Sequence, residues 1–235
     1  MISLFKKELA GYFLSPFGFV FLGVFTLTGG IVFTSHNLLG ANGNLAGTFD
    51  MLRNFSFIFF PVLTMRIFAE ERRNGAEQLL MTSRLGVTEI VLGKFFAACS
   101  VFLAALAVTL VYAGIIFRYG APNAGSLALS YLGFFLLGTS MIAICTFISS
   151  FAESQITSAI ASSGSLFFLV LLSSFTRSLQ VPFFSPILRA MAITVLYDEF
   201  TRGILKPGPV AYYLAVTVLS ILFTVKALEL RRYGR

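Results

Sequence analysis

Three stretches of this sequence carry residue types that could do chemistry. The first is Gly93-Lys94, which looks like the end of a phosphate-cradling loop. Such a loop needs a second Gly five residues earlier and a Ser or Thr after the Lys, because backbone N–H groups and a hydroxyl must surround the phosphates and their Mg. Position 88 is Thr and position 95 is Phe. The chain is therefore expected to carry no nucleotide site of its own, and any ATP use must come from a partner.

The second stretch is Ala161-Ser162-Ser163-Gly164, which with the single His36 suggests a nucleophile and its base. An intramembrane serine protease would have Gly where Ala161 stands, and His36 lies at the outer end of a different apolar run. The plainer expectation is a small-residue helix-packing face made by Ser154, Ser158, Ser162 and Ser165 with Ala161 and Gly164. His36 is then an interfacial residue. Cys99 and Cys145 both fall inside apolar runs, and the absence of a Cys/His cluster excludes zinc. No catalytic, cofactor-binding or metal-binding residue is expected, so the chain is not read as an enzyme.

The third is residues 69 to 94, AEERRNGAEQLLMTSRLGVTEIVLGK, with four of the ten acids and four cations: Glu70, Glu71, Arg72, Arg73, Glu77, Arg84, Glu89 and Lys94. It also carries Leu79, Leu80, Met81 and Leu85, and VTEIVLGK can form a short amphipathic helix. A solvated loop that merely sets orientation would need no such apolar residues. Apolar side chains between charges suit docking onto another protein.

The elements that must position these residues follow from composition. The chain is 57% hydrophobic and 11% charged over 235 residues, against about 45–50% and about 25% for soluble domains, with a mean hydropathy of +0.88. That excludes a soluble globular protein and a disordered chain alike. Apolar runs at 17 to 37, 49 to 68, 95 to 117, 127 to 150, 156 to 175 and 209 to 228 are each long enough to cross a bilayer as a helix. Pro61 is expected to kink the second. Residues 1 to 16 place Ile2, Phe5, Leu9, Tyr12 and Phe13 at helical spacing, as in a helix lying in the interface. The run from 17 to 33 has no cleavage pattern after it, which argues against a signal peptide.

With the N-terminus inside, eleven Lys and Arg fall on the inner side and six on the outer. This bias predicts both termini in the cytoplasm. The net charge of +7 is tied to span ends, which indicates contact with membrane lipid and no nucleic-acid partner. No Asp, Glu, Lys or Arg sits at the centre of a predicted span, which disfavours an ion-coupled carrier with an acidic relay.

The outer stretch from 176 to 208 is too apolar for an exposed loop. Residues 182 to 205 are expected to form two short helices re-entering from the outer side, turning at Pro182 and Pro186. Ile187, Leu188, Met191, Ile193 and Leu196 would build an outer gate, and Asp198, Glu199 and Arg202 would return the chain to water. No internal repeat is present, so twofold symmetry requires a second chain.

An N-terminal KKELAGYFLSP, the charged connection after the second span and FISSFAESQITSAI at 147 to 160 together resemble the type-2 family of ATP-binding-cassette (ABC) export permeases. More narrowly they are similar to the branch associated with bacterial gliding motility and copper-enzyme maturation. The most specific part is Glu70-Glu71 through Leu80 with Gly93-Lys94. The resemblance implies a permease in the bacterial cytoplasmic (inner) membrane. It would pair with a second copy or a related chain and with cytoplasmic ABC ATPase subunits, with an extracytoplasmic auxiliary subunit as a further partner.

In such families Glu70, Glu71, Gly75, Glu77, Leu79 and Leu80 belong to the connection leading to the coupling helix. The family often has Pro where this chain has Arg84, which alters the local turn. Arg72, Leu85 and Val87 complete the expected ATPase-coupling segment. The expected fold is all-α and polytopic, a single domain over 1–235 with six transmembrane helices, an interfacial helix at 1–16, a coupling segment at 69–94 and a re-entrant outer segment at 176–208. A scaffold that passes ATPase work to an extracytoplasmic partner without transport would use the same sequence.

Overall fold

Helix is the regular structure of every element in the computed structural model, which describes residues 2–40, 42–73, 75, 86–119, 123–178 and 193–233. In chain order the helices are α1 (Ile2–Leu14), α2 (Pro16–Phe33), α3 (Ala46–Asn54), α4 (Ser56–Thr64), α5 (Ala69–Arg73), α6 (Val87–Tyr119), α7 (Ala124–Ser149), α8 (Gln155–Ser178), α9 (Tyr197–Thr201) and α10 (Pro207–Tyr233). Five of the apolar helices are long enough to cross a membrane, and α3 with α4 and its extension makes a sixth, bent span. Backbone groups with no water to bond must be satisfied within the helix, which is why apolar runs of this length fold this way.

Local chemistry sets the boundaries. Pro16 opens α2 at its first turn, where a missing N–H is harmless. The chain turns sharply there, and Gly18 packs so close to the Tyr12 carbonyl that a Cβ would collide with it. Asn123 starts α7 by accepting from the Gly125 N–H at 3.1 Å. The outer end of α2 continues as a π-helical turn, Thr34–Leu38.

The kink in the second span is not where Pro61 predicts it. The chain bends by 62° between α3 and α4, at Phe55, and Pro61 lies inside α4. The expected amphipathic helix at VTEIVLGK is likewise not separate. Val87 begins α6, which runs 33 residues without a break, so the end of the charged connection is rigidly fused to the third span.

Phenylalanines fill the space between spans. Phe25 meets Phe59 at 5.4 Å and Phe102 at 6.2 Å between ring centroids, and Phe102 meets Phe60 at 5.1 Å. Phe102 reaches α7 only because residue 138 is Gly; a Cβ there would overlap its ring. Large apolar side chains such as Leu27, Ile31, Val111, Ile160, Phe168 and Phe223 point outward, as lipid-facing positions do. The chain is a polytopic, all-helical integral membrane protein.

The contacts sort the helix ends into two sets. Residues 2–15, 63–72, 94, 150–152 and 231 meet at one end, where both terminal helices lie. Residues 50–53, 130–131 and 193–200 meet at the other.

Candidate functional site

A buried lysine organises the end that carries the terminal helices. Lys94 stands on the second turn of α6, and its side chain is 1% exposed. A cation so placed is tolerated only when its donors are all satisfied. Its Nζ donates to Glu8 Oε1 of α1 at 3.0 Å, to Glu71 Oε1 of α5 at 2.7 Å and to the Ile67 carbonyl at 2.9 Å. Phe68 lies under it, 5.6 Å from the ring centroid. Gly93 makes the approach of α1 possible, since a Cβ would lie 3.3 Å from Leu4.

Arginines extend this knot. Arg66 pairs with Glu70, donates to the Ser15 hydroxyl and lies over Phe17 at 5.4 Å, so it ties the end of the second span to the α1–α2 corner. Tyr12 donates to the Leu63 carbonyl at 3.0 Å, and burial pushes its hydroxyl pKa well up. Arg72 donates to the carbonyls of Ser150, at 2.8 Å, and Ala152. These are carbonyls that the end of α7 leaves without helical partners. The start of the charged connection is thus pinned to α1, α6 and the turn between the fourth and fifth spans.

The opposite end has its own buried cation. Arg53, 4% exposed, pairs with Asp50 at 3.1 Å and Asp198 at 2.8 Å, donates to the Thr194 carbonyl at 3.3 Å and lies over Tyr197. Tyr213 donates to the Ile193 carbonyl at 2.7 Å. Phe200 packs into the space left by Gly133, whose Cβ would lie 2.6 Å from it. Asp198 is only partly open to water, its side chain 30% exposed, while Arg202 beyond it is exposed as expected. Asp198 locks the outer segment onto the second span, because a buried guanidinium needs a carboxylate more than that carboxylate needs solvent.

The expected site residues are distributed as follows. Glu70, Glu71 and Arg72 come together in the knot, Gly75 follows with a positive φ of 68°, and Val87 is half-buried at the start of α6. Glu77, Leu79, Leu80, Arg84 and Leu85 lie outside the described residues, as do Ile187, Leu188 and Met191 of the expected gate. Ile193 is buried and Leu196 half-buried. Ser158 and Ser162 are buried on one face of α8. Gly164 is not on that face: it is exposed with nothing within 4 Å of a Cβ. Ser165 is partly exposed and bonds back to the Ala161 carbonyl.

Four residues hold the two clusters together: Glu8, Lys94, Arg53 and Asp198; the sequence offers Lys94 only as part of the charged connection and Asp198 only as a return to water. A signal existed for two of them. Glu8 is the only acid before Asp50, and Lys94 is a lone cation between apolar stretches. Among the described residues no group of three His, Cys, Asp or Glu side chains could hold a metal ion.

The described chemistry is that of structural charge clusters at both ends of a helical bundle, joined by the second span. A family model described as ABC-2 family transporter protein matches residues 41–226, which takes in every element from α3 to most of α10. No individual curated protein matches the chain.

Proposed function

Because the chain belongs to the ABC-2 family of transporter proteins, and is therefore the membrane permease subunit that partners an ABC ATPase, we propose that the Lys94 knot is where nucleotide-driven motion enters the bundle. Two permease chains work with two ATPases, engaged mainly through residues 70 to 94 and α1. ATP and Mg are bound by those ATPases. The terminal end is cytoplasmic, in a bacterial inner membrane, and the chain serves export or force transmission in the gliding-motility and copper-enzyme-maturation branch. An extracytoplasmic auxiliary subunit at the Arg53 end belongs to the same reading.

The observation that carries it is the shared cation: Lys94 holds Glu8 of α1 and Glu71 of α5 at once. A displacement of the connection therefore pulls on α1 and α6 together. Arg72 passes the same displacement to the fourth and fifth spans. Packed helices transmit such motion as rigid bodies because their interiors do not compress.

The test is reconstitution with the ATPase that co-purifies from native membranes. Glu71→Gln should leave the complex assembled while weakening the response of ATPase rate to permease, because only one arm of the knot is lost. A stoichiometric Walker-A protein in the purified complex is the expected result. Absence of any ATPase from a stable, monodisperse permease preparation, or an unaltered ATPase rate in Glu71→Gln, would overturn the assignment.

A further inference from the structure

Beside the knot lies a cleft of about 180 Å³ between α1 and the ends of α4 and α6. Six charged side chains line it: Lys7, Arg66 and Lys94 against Glu8, Glu70 and Glu71. Three charges of each sign give the wall no net charge. A simple anion entering it would face three carboxylates and a simple cation three cations. A small group bearing both signs is the ligand such a wall suits.

The charges are not equally committed. Lys94 is saturated by two carboxylates and a carbonyl. Lys7 is exposed and has no ion-pair partner among the described residues, and Glu70 is 31% exposed although Arg66 holds one of its oxygens. An anionic group can therefore be taken by Lys7 and a cationic group by the exposed part of Glu70. The helices beside the cleft carry exposed apolar side chains: Ile2 and Leu14 of α1 are 73% and 88% exposed, and Phe19 in the first turn of α2 is 60% exposed. Exposed apolar residues beside a charged cleft mark the boundary between water and hydrocarbon.

We propose that this cleft binds the headgroup of a phosphoethanolamine lipid, held as a resident lipid and not as cargo. The phosphate lies against Lys7, the primary ammonium donates toward Glu70, and the acyl chains run along α2. The ammonium can donate three hydrogen bonds, as a lysine does, whereas a trimethylated choline can donate none. A glycerol headgroup offers no cation to Glu70. The inference uses the placement of this end at the membrane surface and not the docking of an ATPase, so it is tested on the permease alone.

The permease is purified in detergent with equimolar phosphatidylethanolamine, phosphatidylcholine and phosphatidylglycerol of matched chains, and retained lipids are counted by native mass spectrometry. Phosphatidylethanolamine should be retained roughly tenfold over the other two, the scale set by a charge-assisted hydrogen bond. Lys7→Gln and Glu70→Gln should each remove the preference. Lys6→Gln, a neighbouring exposed lysine outside the cleft, should leave it intact. Equal retention of the three lipids, preference for phosphatidylglycerol, or equal effects of Lys6→Gln and Lys7→Gln would overturn the proposal. So would displacement of the lipid by soluble phosphoethanolamine at submillimolar concentration, which would make the ligand a free metabolite and not a headgroup.

Discussion

Lys94 and Glu71 are 23 residues apart in the chain and meet at 2.7 Å, with the lysine side chain 1% exposed. Removing the cation strands two partly buried carboxylates, which costs about 3–5 kcal/mol where a buried pair is broken from one side. Lys94→Met should therefore lower the thermal midpoint of the purified permease sharply. Lys94→Met with Glu8→Gln and Glu71→Gln should recover most of the loss, because neutral amides no longer need the ammonium. Thermal unfolding in one detergent checks both.

At the other end, Arg53 holds Asp198 at 2.8 Å and the Thr194 carbonyl at 3.3 Å. A hydrogen bond to a charged group contributes about 1.5–3 kcal/mol. Arg53→Ala should raise hydrogen exchange across Thr194–Thr201 by roughly 10- to 100-fold, the equivalent of that energy. Asp198→Asn should do less, since the Thr194 bond remains.

Two glycines should respond in opposite directions. Gly133→Ala places a Cβ 2.6 Å from Phe200 and should destabilise by about 1–3 kcal/mol, the usual range for overpacking. Gly164→Ala meets nothing within 4 Å and should stabilise by up to about 1 kcal/mol through helix propensity. A Gly164→Ala variant that instead disperses a permease dimer would place the second chain on that face.

Docking of the ATPase should depend on apolar side chains more than on exposed charges. An exposed ion pair contributes about 0–1 kcal/mol, and burial of a Leu-sized side chain about 1.5–3 kcal/mol. Leu85→Asp should release the ATPase from an inserted permease. Val87→Asp should also reduce permease stability, because Val87 is half-buried against the core. Co-purification and thermal midpoint, measured together, separate the two effects.

Cysteines introduced near Asn42 and Asn123 should react with an impermeant thiol reagent added to intact cells, and one near Asn74 should not. This follows from the eleven-to-six cation bias. Reaction at 74 would reverse the orientation.

The span count was legible in the sequence because hydrocarbon imposes it: a run of about 20 apolar residues has one stable backbone solution. The six runs match five long helices and one bent pair closely. The charged connection after the second span was legible as well, since eight charged residues stand out in so apolar a chain. What those charges do was not. Glu71 and Lys94 were expected on an exposed coupling segment, yet they form the interior of a knot with Glu8, 86 residues from Lys94.

Sequence alone therefore determined the class of protein, the helices and the charged segment, because each depends on local composition against a fixed solvent. Tertiary structure decided which charges are buried, where the second span bends, and that Asp198 pairs with Arg53. Those outcomes depend on which distant side chain arrives within 3 Å of a buried ion. Composition and periodicity carry no information about that, because a buried charge is stable only with its partner and the partner is chosen by how the helices pack.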